Sequence, residues 1–309
     1  MRKILAALLI STIFISCSKE PEIDNATMLD GDQIFDLSLS NPQDYLISSR
    51  FPNPTEVQKN TPVIIAAHGF TATTFEWDEL REFADQKGSF LVSQVLLGGH
   101  GRTYDEFKNA TWEDWGRSIE IEYQDLVAKG YRKIYIAASS TGGALVLNSL
   151  NSGVFNVNVK GIFLVDPIVV PSNKSLSLIG TLGPLIGYST TELATGEKGH
   201  WYVYRPYQAL RELMECINKT RKNLQDGMDL PPVTFMKVYK SLEDESADPV
   251  SAVLIYKGIK TVSPGQLEVE MLHSKLHVAT RLRGRDGVTA EDRAMQSRIF
   301  TEMELKMLE

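Results

Sequence analysis

The residues best suited to do chemistry are gathered in Ser140-Thr141-Gly142-Gly143. They lie between the apolar run Lys133-Ile134-Tyr135-Ile136-Ala137-Ala138 and the helix-forming run Ala144-Leu145-Val146-Leu147. A hydroxyl at a tight turn between a strand and a helix is lifted clear of the sheet edge, where it can attack a carbonyl carbon. Such a turn strains the backbone at the Ser and presses it against its neighbours, so the flanking positions must be small. Here they are Ala138, Gly142 and Gly143, the first being Ala where Gly is usual. Ser140 therefore reads as a nucleophile. An ordinary glycine-rich turn from strand to helix would look the same, so the reading depends on what accompanies it.

Acyl transfer from a serine needs two donors for the developing oxyanion, a general base and an acid that orients the base. Residues 62–67 are apolar on both faces, as a buried parallel strand requires, and end in His68-Gly69-Phe70-Thr71. The loop after that strand and the residue after the nucleophile supply the donors, the backbone N–H groups of Phe70 and Thr141. His68 reads as a hydrogen-bonded residue that shapes the loop. Downstream, the strand-like residues 233–239 lead into an acidic loop, Ser241-Leu242-Glu243-Asp244-Glu245-Ser246-Ala247-Asp248-Pro249. Carboxylates just past the carboxyl end of a strand lie where open α/β sheets build their sites. Asp244 is the preferred acid, whereas Asp248 before Pro249 suits a helix N-cap. Asp166, after the strand-like residues 160–165, is the second candidate. The alternating residues 266–272 then run into two competing histidines, His273 and His277.

These segments resemble the bacterial carboxylesterase and monoacylglycerol lipase group of α/β-hydrolases. The likeness is carried by His68-Gly69-Phe70-Thr71, Gly99-His100-Gly101, Trp112-x-x-Trp115, Gly130-Tyr131-x-Lys133-Ile134 and the Ser140 turn, and extends over most of the chain from Pro62. It implies the α/β-hydrolase fold: a mostly parallel sheet with helices on both faces and a small cap inserted after the sixth strand. It also implies an ester substrate, a triad of Ser140, Asp244 and His277, oxyanion donors Phe70 and Thr141, and no metal or organic cofactor. Between the histidines the likeness favours His277, since residues 274–278 are similar to the loop that ends in His-Val in these enzymes. The segments before Pro62 and across 171–201 match the group poorly. A surface-anchored binding protein of weak activity would carry the same residues, and so would a serine peptidase, amidase or acyltransferase.

The elements that must position these residues are visible in the pattern. Helical periodicity over residues 75–86, 112–129, 144–150 and 206–223 alternates with the strand runs, which argues for a parallel sheet covered on both faces. With 309 residues and 43% hydrophobic content, one large domain over residues 28–309 can bury its own core. A formal net charge of −7 without a basic run in the body of the chain argues against nucleic-acid binding through phosphate neutralisation. A cap is expected over residues 167–205. Its apolar residues Leu176, Leu178, Ile179, Leu182, Leu185 and Ile186 are expected to cover an acyl chain.

The amino end reads as an address. Arg2-Lys3 precede an apolar run from Ile4 to Ile15, too short to cross a bilayer as a mature helix but suited to a secretory signal. Ser16-Cys17 resembles a bacterial lipoprotein box. Residues 1–17 are then a signal segment ending in the lipidated Cys17, and residues 18–27 a tether. The protein is expected to be an exported, membrane-anchored lipoprotein on the periplasmic or cell-surface side. Cys216, left without a partner, is expected to be a buried helix residue.

Overall fold

The computed structural model describes residues 20, 21, 23, 45–155, 158–174 and 179–309, the side chains of 179–182 excepted. Cys17, the signal segment 1–17 and most of the tether lie outside the described residues. Six strands form the central sheet: β1 Val63–Ala67, β2 Leu91–Val95, β3 Ile134–Ser139, β4 Val159–Val165, β5 Phe235–Ser241 and β6 Leu267–Leu272. Their order is β6-β5-β4-β3-β1-β2, and every neighbouring pair is parallel.

Parallel strands need helical crossovers, and these follow in sequence. They are α1 Asp78–Lys87 after β1, α2 Trp112–Ala128 after β2, α3 Ser140–Asn151 after β3, and α4 Ile179–Ile186 with α5 Tyr207–Asp226 after β4. The last are α6 Val250–Gly258 after β5 and α7 Ala290–Leu308 after β6. The unbroken apolar runs of β1 and β3 are wholly buried because both faces of the sheet are covered. Val63, Ile65 and Ala67 join the core on one face, with Trp115 of α2, Leu145 of α3 and Ile217 of α5. Ile64 and Ala66 join the other, with Leu80 of α1 and Ile299 and Met303 of α7. Cys216 is fully buried on α5.

The insertion leaves the sheet after β4, the fourth strand among the described residues. It holds α4 and a short antiparallel pair, Tyr188–Thr190 with Tyr204–Pro206. Of the expected apolar cap residues, Ile186, 50% exposed, lines the cavity above β3 and Leu185 is 76% exposed, while the paired strands add Tyr188, Thr190 and Arg205 to the lining. Leu176 and Leu178 lie outside the described residues, as do the side chains of Ile179 and Leu182.

Candidate active site

β3 ends at Ser139 and α3 begins at Ser140, whose φ of 48° is left-handed. Two glycines let the helix approach closely enough for this turn. A Cβ on Gly142 would lie 2.7 Å from the carbonyl oxygens of both Ala67 and His68, and one on Gly143 would lie 2.8 Å from Pro167 Cβ. Ala138, by contrast, sits buried within β3 between Ala67 and Leu164, and the turn forms with its methyl in place. Ser140 opens onto a cavity of about 720 Å³, lined also by Gly69, Phe70, Thr141 and His277. That volume suits a small-molecule ligand.

Thr141 lies in the first turn of α3, where N–H groups have no acceptor within the helix. Phe70 is held by its ring, which packs 5.4 Å from Phe107, 5.7 Å from Trp115 and 6.3 Å from His100 between centroids. The Gly99-His100-Gly101 and Trp112-x-x-Trp115 segments thus converge on the residue proposed to donate to the oxyanion. A Cβ on Gly69 would stand 3.0 Å from Ser140 Cβ, so a side chain there would press on the serine. His68 is fully buried. Its Nε2 accepts from the Leu97 N–H at 3.1 Å, which leaves Nδ1–H to donate to the Gly69 carbonyl at 2.9 Å. Burial outweighs the pull of Glu76 and lowers the His68 pKa to about 4, so the ring stays neutral and shapes the loop.

Glu76 was not singled out by the sequence, yet it joins two parts of the site. Its carboxylate, 4% exposed, accepts from the Gly69 N–H at 2.9 Å and from the Ser139 hydroxyl. One buried group therefore fixes the His68–Thr71 loop to the elbow.

His277 Nδ1 lies 2.8 Å from Asp244 Oδ2. With the Nδ1 proton directed to Asp244, Nε2 is the nitrogen left to accept a proton. Asp244 is 4% exposed and accepts the N–H groups of Ser246 and Ala247 at 2.8 and 3.1 Å. Burial would raise its pKa, but the hydrogen bond and charge of His277, with those of Lys240, outweigh it and lower the carboxyl to about 2. Among the described residues, the His277 ring is hydrogen-bonded to Asp244 and not to Asp166. Asp166 accepts from the N–H groups of Ser241, Val278 and Ala279 at 2.7, 2.9 and 3.3 Å, and from the Ser241 hydroxyl at 3.1 Å. Lys240, fully buried, lies 2.9 Å from Asp166 and 2.5 Å from Asp244. Asp166 thereby balances Lys240, which leaves one net negative charge behind the imidazole. Lys240 is the second site residue that the sequence did not reveal.

The remaining candidates lie apart. His273 is exposed beyond β6. Asp248 accepts the Val250 N–H at 2.8 Å at the start of α6, doing the work of a cap although the N-cap position itself falls on Pro249. Among the described residues, no group of His, Cys, Asp and Glu is arranged to hold a metal ion.

Backbone strain marks the same place independently. Among the described residues, four that are not glycine have positive φ: Thr71 at 65°, Ser140 at 48°, Asp166 at 47° and Val278 at 60°. They follow Phe70, form the elbow, end β4 and follow His277. Left-handed φ is costly for such side chains, most of all for β-branched Thr71 and Val278, and persists where surrounding contacts enforce it. The Tyr202 N–H on the Thr71 carbonyl at 3.0 Å is one such contact, and the Val278 N–H on Asp166 another.

No protein-family model matches the chain. The sheet order, the elbow at β3 and the insertion after β4 define the α/β-hydrolase fold. Solved structures of that fold are similar over most of their length. One comes from the pair LipS and LipT, two metagenome-derived lipolytic enzymes, at 20% identity and a TM-score of 0.63, covering 79% of this chain and 94% of that one. A soluble variant of the monoglyceride lipase of Saccharomyces cerevisiae aligns at 14% identity and a TM-score of 0.65, covering 82% and 88%. The monoacylglycerol lipase of Paleococcus ferrophilus aligns at 12% identity and a TM-score of 0.61, covering 80% and 96%.

Proposed function

We propose that this protein is a serine hydrolase that cleaves carboxylic esters of short- to medium-chain acids or monoacylglycerols. The observation that carries the reading is the meeting, at one cavity, of a serine in a left-handed elbow and a histidine whose Nδ1 is 2.8 Å from a buried aspartate. Lipolytic enzymes among the similar structures support it.

In this mechanism His277 Nε2 takes the Ser140 proton as Oγ attacks the ester carbonyl. The oxyanion receives the N–H groups of Phe70 and Thr141, and Asp244 stabilises the imidazolium. His277 then protonates the leaving alcohol, and a water activated by the same ring releases the acid from the acyl-enzyme. None of these steps calls on a cofactor. The test is hydrolysis of p-nitrophenyl esters from acetyl to palmitoyl by the protein and by Ser140→Ala, with matched anilides beside them. Ester turnover lost in the variant supports the reading. Anilide turnover alone would make the protein an amidase or peptidase, and no turnover or covalent labelling by a folded protein would favour a binding role.

We also propose that Cys17 is lipidated after cleavage of the signal segment, tethering the domain to a membrane on the exported side. The support is the Ser16-Cys17 pattern behind an apolar run. Incorporation of labelled palmitate that persists in Cys17→Ala would overturn it.

A further inference from the structure

The cavity above Ser140 holds three arginines that the acyl transfer does not use: Arg205, Arg281 and Arg285. Two are built into its wall. Arg281, 6% exposed, pairs with Glu197 at 2.5 Å and lies over the Trp201 ring, 4.5 Å from its centroid. Arg285 donates to the carbonyl oxygens of His277 and Val278. Arg205 is different. It stands on the cap strand Tyr204–Pro206; the Nε of all three arginines is buried without an acceptor, but Arg281 and Arg285 are held through their other nitrogens, whereas among the described residues the Arg205 side chain makes no hydrogen bond. Among the described residues, no carboxylate comes within ion-pair distance of its guanidinium, and burial lowers its pKa with no neighbouring charge to offset the effect. The carboxylates of the same cavity are committed elsewhere or stand in solvent. Glu76 holds Gly69 and Ser139, Glu197 holds Arg281, and Glu192 and Glu245 are exposed.

A guanidinium drawn away from water without a counter-charge is unfavourable. A bound anion would relieve that, and the planar fork of Arg suits a carboxylate, which it grips through paired N–H groups. We infer that the cavity is shaped for an ester that carries an anionic group, a carboxylate foremost, seated on Arg205 while its carbonyl is presented to Ser140. The inference rests on the esterase reading of Ser140 and narrows it to esters that carry a charged group.

The test compares p-nitrophenyl hemiadipate with neutral p-nitrophenyl hexanoate, which places the charge on the acyl side. It also compares p-acetoxybenzoate with its neutral methyl ester, which places the charge on the alcohol side. Each ratio of kcat/KM is taken within one preparation, so it does not depend on the folded fraction. In the wild type at least one charged ester is preferred, and in Arg205→Gln that preference falls roughly 10- to 100-fold, the loss expected for a charge-assisted pair. Arg205→Lys keeps part of it. The pair that shows the effect identifies which side bears the anion. Neutral esters turned over with no charge preference, or with one that Arg205→Gln leaves intact, would overturn the subsite and leave the esterase standing. If no ester is turned over, the esterase reading fails, and calorimetry with Ser140→Ala decides the subsite separately. Binding of hemiadipate that exceeds hexanoate and is lost on adding Arg205→Gln supports it, and equal binding of the two overturns it.

Discussion

The carboxylates around Lys240 divide their duties by what they touch. Asp244 faces His277, so Asp244→Asn removes the charge that orients and stabilises the imidazolium. A loss of about 10⁴-fold in kcat is expected, on the scale of such changes in serine hydrolases. Asp166 supports the His277 loop through the N–H groups of Val278 and Ala279, ties it to the end of β5 through that of Ser241, and balances Lys240. Asp166→Asn should lower the melting temperature and reduce kcat less than 100-fold. Steady-state kinetics and thermal unfolding of the two variants check this, and the reverse order of effects would assign the acid to Asp166. Glu76 is a positioning residue. Glu76→Ala frees the Gly69 N–H and the Ser139 hydroxyl together, so kcat should fall about 10- to 100-fold with little change in KM. Glu76→Gln, which keeps an acceptor oxygen, should restore most of it. A Gln variant as impaired as the Ala variant would instead point to the charge of Glu76.

At the scale of elements, the elbow depends on how closely α3 meets the end of β1. Gly142→Ala places a methyl 2.7 Å from two carbonyl oxygens of the backbone, which no side-chain adjustment relieves. A destabilisation of about 1–3 kcal/mol is expected, together with lowered ester turnover, read from urea unfolding and kinetics. Unchanged stability would mean that the contact is looser than described. The elements themselves were largely legible. β1, β3, β4, β5 and β6 follow apolar or alternating runs, and the Ser, Asp, His and donor positions all lie just past strand ends, where chain order and spacing reveal them. β2 was not read, because Ser93 and Gln94 interrupt its apolar run. Both are buried and held by distant partners, the Ser93 hydroxyl by Glu122 at 2.6 Å and the Gln94 amide nitrogen by Thr74 and Asp78 at 2.8 Å. α7 was missed because its buried residues, from Ile299 onward, occupy only its second half. Glu76, Lys240 and Arg205 escaped for the same kind of reason. A charged residue reads as solvated until folding sets it against the opposite charge, the backbone or a cavity far along the chain.

For the whole molecule, the depressed pKa of Asp244 links stability to pH. Its folded value, about 2, lies below the ordinary 3.8, so the native state gains from the ionised form. That contribution, about 2 kcal/mol, is fully present above pH 4 and is lost as pH falls through 2. The difference in unfolding free energy between wild type and Asp244→Asn should therefore shrink between pH 4 and pH 2. A difference that stays constant would contradict the ion-pair geometry. The fold places every proposed participant on one cavity or directly behind it: the elbow from β3, the donor loop from β1, the acid from β5 and the base from β6. Covalent labelling by a fluorophosphonate, read by intact mass and peptide mapping, reports directly on whether that convergence activates Ser140. A single adduct on Ser140, abolished in Ser140→Ala and slowed at least 100-fold in His277→Ala, is expected. A folded protein that takes no adduct, or takes it on another residue, would contradict the assignment of Ser140 as an activated nucleophile.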